Sequence, residues 1–156
     1  MEPTPDELAG VADLFGALTR VELRRAFENV AARRGTAFDP DDLDDRIETA
    51  RREYYLVGID REGSETFAPG PVALPTLPDH GEDLPHMMAV EERGIDAERL
   101  AGAVETRLER DAEAAIEADD PARMRTLLDV CYDAEAWGPV AVGSVRERLL
   151  ASVGES

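Results

Sequence analysis

The stretch DPDDLDDRIETARREYYLVGID, Asp39–Asp60, decides the fold, because it passes from a helix pattern to a strand pattern within 22 residues. It opens with five acids in seven residues. Asp39 is placed to accept the free N–H groups of a first helical turn, and Pro40 has no N–H that would go unsatisfied. Asp41 and Asp42 then meet the positive end of the helix dipole. Leu43, Ile47, Ala50 and Tyr54 follow at spacings of four, three and four, which puts them on one inward stripe. From Tyr55 the run YYLVGI is aromatic and β-branched and reads as a strand. DREGSE is the turn, with Gly63 able to take a positive φ, and TFAPG is the returning strand.

Two earlier helices are announced by the same chemistry. TPDE at Thr4–Glu7 combines a capping box with a first-turn proline, and its helix carries Leu8, Val11, Phe15 and Leu18 on one stripe. TRVE at Thr19–Glu22 repeats the box, with Leu23, Phe27, Val30 and Ala31 inward and Gly35 as the stop. Three helices followed by a hairpin, in this order over about Pro5–Leu74, resemble a winged-helix domain. The resemblance implies a third helix that enters the DNA major groove and arginines that hold phosphates.

Past the hairpin, five of the ten prolines (Pro69, Pro71, Pro75, Pro78 and Pro85) fall within eighteen residues. No stable helix passes through that density, so an extended connector is expected there. DLPHMMAVEERG reads as a short helix stopped at Gly94. Asp96 caps a long helix to about Ala118, with Leu100, Val104, Leu108, Ala115 and Ile116 inward. Asp120 and Pro121 open the next, which carries Met124, Leu127, Leu128 and Cys131 and ends near Trp137. SVRE at Ser144–Glu147 reads as a third capping box, for a last helix with Val145, Leu149 and Val153. The expected class is mainly α, with three parts. These are a winged-helix-like lobe at 1–74, a proline-rich connector with a short helix at 75–95, and a bundle of three to four helices at 96–156.

Composition narrows the function. Formal net charge is −18, from 35 acids against 17 bases, and all the bases are arginine. Such a surface repels itself in dilute buffer, whereas multimolar salt shortens the Debye length below about 3 Å and screens the repulsion. Acids spread along the whole chain, with no lysine, resemble the proteins of salt-in halophilic archaea. No apolar run approaches the roughly 20 residues that span a bilayer. MEPTPDELAG lacks the basic head and apolar segment of a signal peptide. The expectation is a cytoplasmic protein with no membrane contact. One cysteine, Cys131, excludes an internal disulfide and a multi-cysteine metal site.

Catalytic motifs are missing: there is no glycine-rich phosphate loop, no G-x-S-x-G and no H-E-x-x-H. DHGEDLPH gathers Asp79, His80, Glu82, Asp83 and His86, which could surround a divalent metal, but Pro85 separates the histidines and an acidic linker is the better reading. Cys131 lies on an apolar stripe and reads as an inert buried thiol. The reading is a non-catalytic binding module without cofactor or metal. It is either a transcription-regulator-like DNA binder or a protein adaptor that docks through the winged helix and the C-terminal helices, which also offer a homodimer surface. For DNA, the candidate contacts are Arg24 and Arg25 on the second helix, Arg46, Arg51 and Arg52 on the third, and Arg61 in the wing. Asp41, Asp44, Asp45 and Glu48 stand among them and oppose phosphate.

Overall fold

Each early helix starts where its cap chemistry places it. In the computed structural model, which describes residues 1–154, Thr4 and Thr19 both close complete capping boxes. The Glu7 N–H donates to Thr4 Oγ1 at 3.1 Å, and the Thr4 N–H donates back to Glu7 Oε1 at 3.0 Å. These caps open α1 (Pro5–Leu14) and α2 (Arg20–Arg34). Asp39, Asp96 and Asp120 accept first-turn N–H groups of α3 (Pro40–Arg52), α5 (Ala97–Glu117) and α6 (Pro121–Trp137). Between α3 and α5 lie β2 (Leu56–Arg61), β3 (Ser64–Pro69), a 3-10 turn (Gly81–Asp83) and α4 (Leu84–Met87). The last helix is α7 (Gly143–Gly154).

The protein is mainly helical with a small three-stranded antiparallel sheet. A two-residue strand, β1 (Leu18–Thr19), precedes α2 and pairs with β3, so the strand order is β1-β3-β2. Leu18 therefore belongs to the sheet and not to the stripe of α1. The helix stops at Phe15 because Gly16 takes φ +83°, a backbone that side chains other than hydrogen rarely adopt. The β2–β3 turn carries positive φ at both Glu62 and Gly63, the geometry of a tight hairpin turn.

The chain divides into two compact units, Met1–Ile95 and a second that begins at Asp96. The first is built on Leu8, Leu18, Leu23, Phe27, Leu43, Ile47, Leu56 and Phe67, all 0–1% exposed. Residues 75–95 are part of this unit. Thr76 N–H donates to the Asp6 carbonyl at 3.1 Å and Leu74 N–H to Asp6 Oδ1 at 2.9 Å, so the extended proline-rich segment lies across α1. The expected helix up to Gly94 is much shorter: α4 ends at Met87, and Met88 is already extended. Met88 packs in the core and Arg93 bonds to Phe15 and Ala17, contacts that a continued helix would not make.

In the second unit, α5 buries Ala101, Val104, Leu108, Ala112 and Ala115, and α6 buries Met124, Leu127, Val130, Cys131 and Ala134. Here α7 begins one residue before the expected cap. Arg146 N–H donates to the Val142 carbonyl at 2.9 Å, so Ser144 sits inside the first turn and forms no capping box. Residues 155 and 156 of the expected third segment lie outside the described residues. Gly102 of α5 has open space where a Cβ would stand. Gly102→Ala is therefore expected to raise stability by about 0.5–1 kcal/mol through helix propensity alone, read by urea unfolding.

Candidate interaction face

The face formed by α2, α3 and β3 is a chain of alternating charges. Arg24 Nη2 lies 3.3 Å from Asp44 Oδ2, and Arg20 Nη1 lies 3.6 Å from Asp44 Oδ1. Arg20 also pairs with Glu48. Arg51 then donates to Glu48 Oε2 at 2.7 Å and to Glu65 Oε2 at 2.6 Å. Three guanidinium groups thus meet three carboxylates. The guanidinium carbons of Arg20 and Arg51 lie 5.5 Å and 5.9 Å from the ring centroid of buried Phe67, within cation–π range. Burial alone would push the Glu48 carboxyl up; hydrogen bonds from Arg51 and Arg20 outweigh it and hold the group below the usual carboxylate range. Burial likewise opposes the charge on Arg51, but Glu48 and Glu65 outweigh it and raise its pKa.

Each pair alone is worth at most about 1 kcal/mol at a half-exposed surface. The chemical consequence is larger than the energetic one. A guanidinium with donors already held by carboxylates offers fewer free N–H groups, and less net positive charge, to a phosphate. Of the sequence-predicted residues, Arg24 and Arg51 are in this network. Arg46 donates to Asp42 Oδ2 at 2.7 Å and to the Pro3 carbonyl at 3.3 Å. Arg52 is exposed and lies 3.5 Å from Glu53 Oε1. The side chains of Arg25 and Arg61 have no ion-pair partner among the described residues, Arg25 exposed and Arg61 half-buried. Meanwhile Asp41, Asp45 and Glu48 stand exposed on α3. A shallow recess of about 290 Å³ beside them is walled by Pro3, Pro5 and Leu8 on one side and Asp42, Asp45 and Thr49 on the other, with Arg46 at its edge.

The sequence shows Arg20 beside Arg24, Arg25, Arg33 and Arg34 on the most basic helix without singling it out as a contact, and it gives no sign of Glu65 or Arg93. Arg20 stands four residues before Arg24 on one helix face, a signal that was present. Arg93 had no local signal, since its partner Glu22 is 71 residues away. That pair is well covered, with side chains 20% and 15% exposed, and Arg93 Nη2 donates to Glu22 Oε2 at 2.8 Å. The Arg93 hydrogen bond leads, with help from the Thr19 cap, in drawing the Glu22 pKa from 4.5 down to about 2 against the effect of burial. A carboxyl depressed on folding stabilises the fold above its unfolded pKa, and the contribution fades as pH falls toward the folded value. Acid unfolding of the wild type should therefore include a loss between about pH 4.5 and 2. Discounted for partial solvent screening, it amounts to about 1–3 kcal/mol. Glu22→Gln should remove that part of the pH dependence in denaturant titrations.

The other candidate chemistry is accounted for by packing. Asp79 pairs with Arg34 at 3.4 Å and Asp83 with Arg33 at 2.8 Å, so α2 engages two carboxylates of the DHGEDLPH cluster. Among the described residues no three His, Cys, Asp or Glu side chains are gathered as a metal site. Burial, with a contribution from Glu135, pushes the Cys131 thiol up to about 11. No helix among the described residues is long and apolar enough to cross a membrane. No curated protein and no solved structure matches the chain. Its residues 6–154 match the family described as Family of unknown function (DUF7109), and the chain belongs to that family.

Proposed function

We propose that this protein is a non-catalytic binding module whose N-terminal unit is a winged helix, transcription-regulator-like in architecture, in the salt-rich cytoplasm of a halophilic archaeon. Its mode of action is docking on a protein partner. The order of α1, β1, α2, α3 and the β2–β3 hairpin, with β3 central in the sheet, supports the winged-helix reading. One observation carries the choice of partner: Arg20, Arg24, Arg46 and Arg51 are all held by carboxylates. The exposed positions of α3 that a groove would meet include Asp41, Asp45 and Glu48. Fold alone does not assign DNA reading.

A second reading rests on Arg25 and Arg61, which have no carboxylate partner among the described residues. From α2 and the hairpin they could hold phosphates while α3 stays out of the groove. Fluorescence anisotropy with duplex DNA in about 2 M KCl separates the two, since salt-dependent phosphate contacts are weak there and need real complementarity to survive. The protein-docking reading predicts no binding at micromolar protein for the wild type, for Arg51→Ala with Arg52→Ala, or for Arg25→Ala with Arg61→Ala. Binding lost only in the Arg25/Arg61 variant establishes the second reading. Binding lost in the Arg51/Arg52 variant overturns the first.

A further inference from the structure

Arg93 lies three residues before the Asp96 cap of α5. Its backbone N–H donates to the Phe15 carbonyl at 2.7 Å, and its Nη1 donates to the Ala17 carbonyl at 3.0 Å. Its guanidinium is held by both oxygens of Glu22. Its own carbonyl sits where Gly16 leaves room: a Cβ there would be 1.8 Å from the Arg93 oxygen. Glu62, in the β2–β3 turn, adds a second negative charge facing the guanidinium. Every hydrogen bond that holds this residue lies at the corner formed by the end of α1, β1 and the first turn of α2.

The residues around Arg93 have little else to hold them. From Ala89 to Ile95 there is no helix or strand, and Ala89, Glu91, Glu92 and Gly94 are exposed. Val90 is the one side chain of this run packed against the core. The nearest firm anchor upstream is Met88, 4% exposed. A segment held by one ion pair, two hydrogen bonds from Arg93 to carbonyls, the contact of Val90 and a half-buried Ile95 belongs to the low-stability end of a fold and opens before the rest.

We infer that Arg93 and Glu22 form a latch that fastens the last stretch of the first unit to the corner formed by α1, β1 and α2. Open, the latch frees Ala89–Arg93 from that corner. The thirteen-residue stretch Gly81–Arg93 is thereby a strap with a fixed root at Leu84 and Met88 and a releasable end. The latch does not depend on the capping of α2, because Thr19 can still donate to Glu22 when Arg93 is gone.

Hydrogen exchange by mass spectrometry on the full chain in about 2 M KCl tests this. Arg93→Gln removes the cation and leaves the α2 cap intact. The expected result is that the peptide covering residues 88–96 exchanges at least tenfold faster, approaching an unstructured segment, while α1 and α2 keep slow exchange. Glu22→Gln, which keeps an amide oxygen for the Thr19 N–H, should give the same local release. Unchanged protection of 88–96 in both variants would overturn the latch. So would loss of α1 and α2 protection together with it, because the pair would then be part of the core and not a separable end.

Discussion

Gly16→Ala is expected to lower the stability of the N-terminal unit by about 3 kcal/mol. Two costs combine. Gly16 has φ +83°, and an L side chain in left-handed backbone costs about 1–2 kcal/mol. The new Cβ would also stand 1.8 Å from the Arg93 carbonyl oxygen, a backbone atom that cannot rotate away. Relieving that clash means shifting the strap or breaking its hydrogen bonds, typically another 1–3 kcal/mol. For a unit of this size the midpoint of thermal unfolding should fall by more than about 10 °C. Gly35→Ala is the control. Its φ is +66°, but nothing lies within 4 Å of the added atom, so only the backbone cost of about 1 kcal/mol applies. Equal losses at Gly16 and Gly35, read by circular dichroism melts, would mean that the Arg93 contact contributes nothing.

Lowering KCl from about 2 M to tens of millimolar should remove most of the helical circular dichroism signal. A net charge of −18 on 156 residues is far outside the magnitude of about 2–8 usual for a small soluble domain. The attractions within it are short: the ion pairs of Arg51 span 2.6–2.7 Å. The repulsions are spread over the whole surface and are therefore what salt screens most, with a Debye length of about 3 Å at 1 M and about 30 Å at 0.01 M. Removing salt strengthens the repulsion without adding contacts. A signal unchanged across that range would contradict the halophilic reading.

The local features of this fold were legible because their causes are local. A threonine or aspartate at a helix start, with proline at the next residue or glutamate three on, places Thr4, Thr19, Asp39 and Asp120 without reference to anything distant, and Asp96 caps α5 by its side chain alone. The hairpin was legible for the same reason, since the Glu62-Gly63 turn needs only its own backbone. The failures are those where a distant partner decides. SVRE has the letters of a capping box, yet the Val142 carbonyl, from a residue 1% exposed, accepts the first helical bond, so α7 starts at Gly143, two residues before Val145. Met87, Met88 and Val90 have a helix-like pattern, but the core takes Met88 and the α1–β1 corner takes Arg93, so the helix ends at Met87. At the candidate face the six arginines were found by type, while their occupancy was not. Glu65 lies 14 residues from Arg51 on another element, and only tertiary packing brings them together.

Residue-resolved NMR of the wild-type protein, titrated with a short duplex at the lowest KCl concentration that keeps it folded, tests most directly whether α3 is closed to DNA. The account predicts that the backbone amides of Asp41–Arg52 do not move through the titration, because the arginines of that face are already held by Asp44, Glu48 and Glu65. Saturable shifts along α3, centred on Arg46 and Arg51, would contradict it.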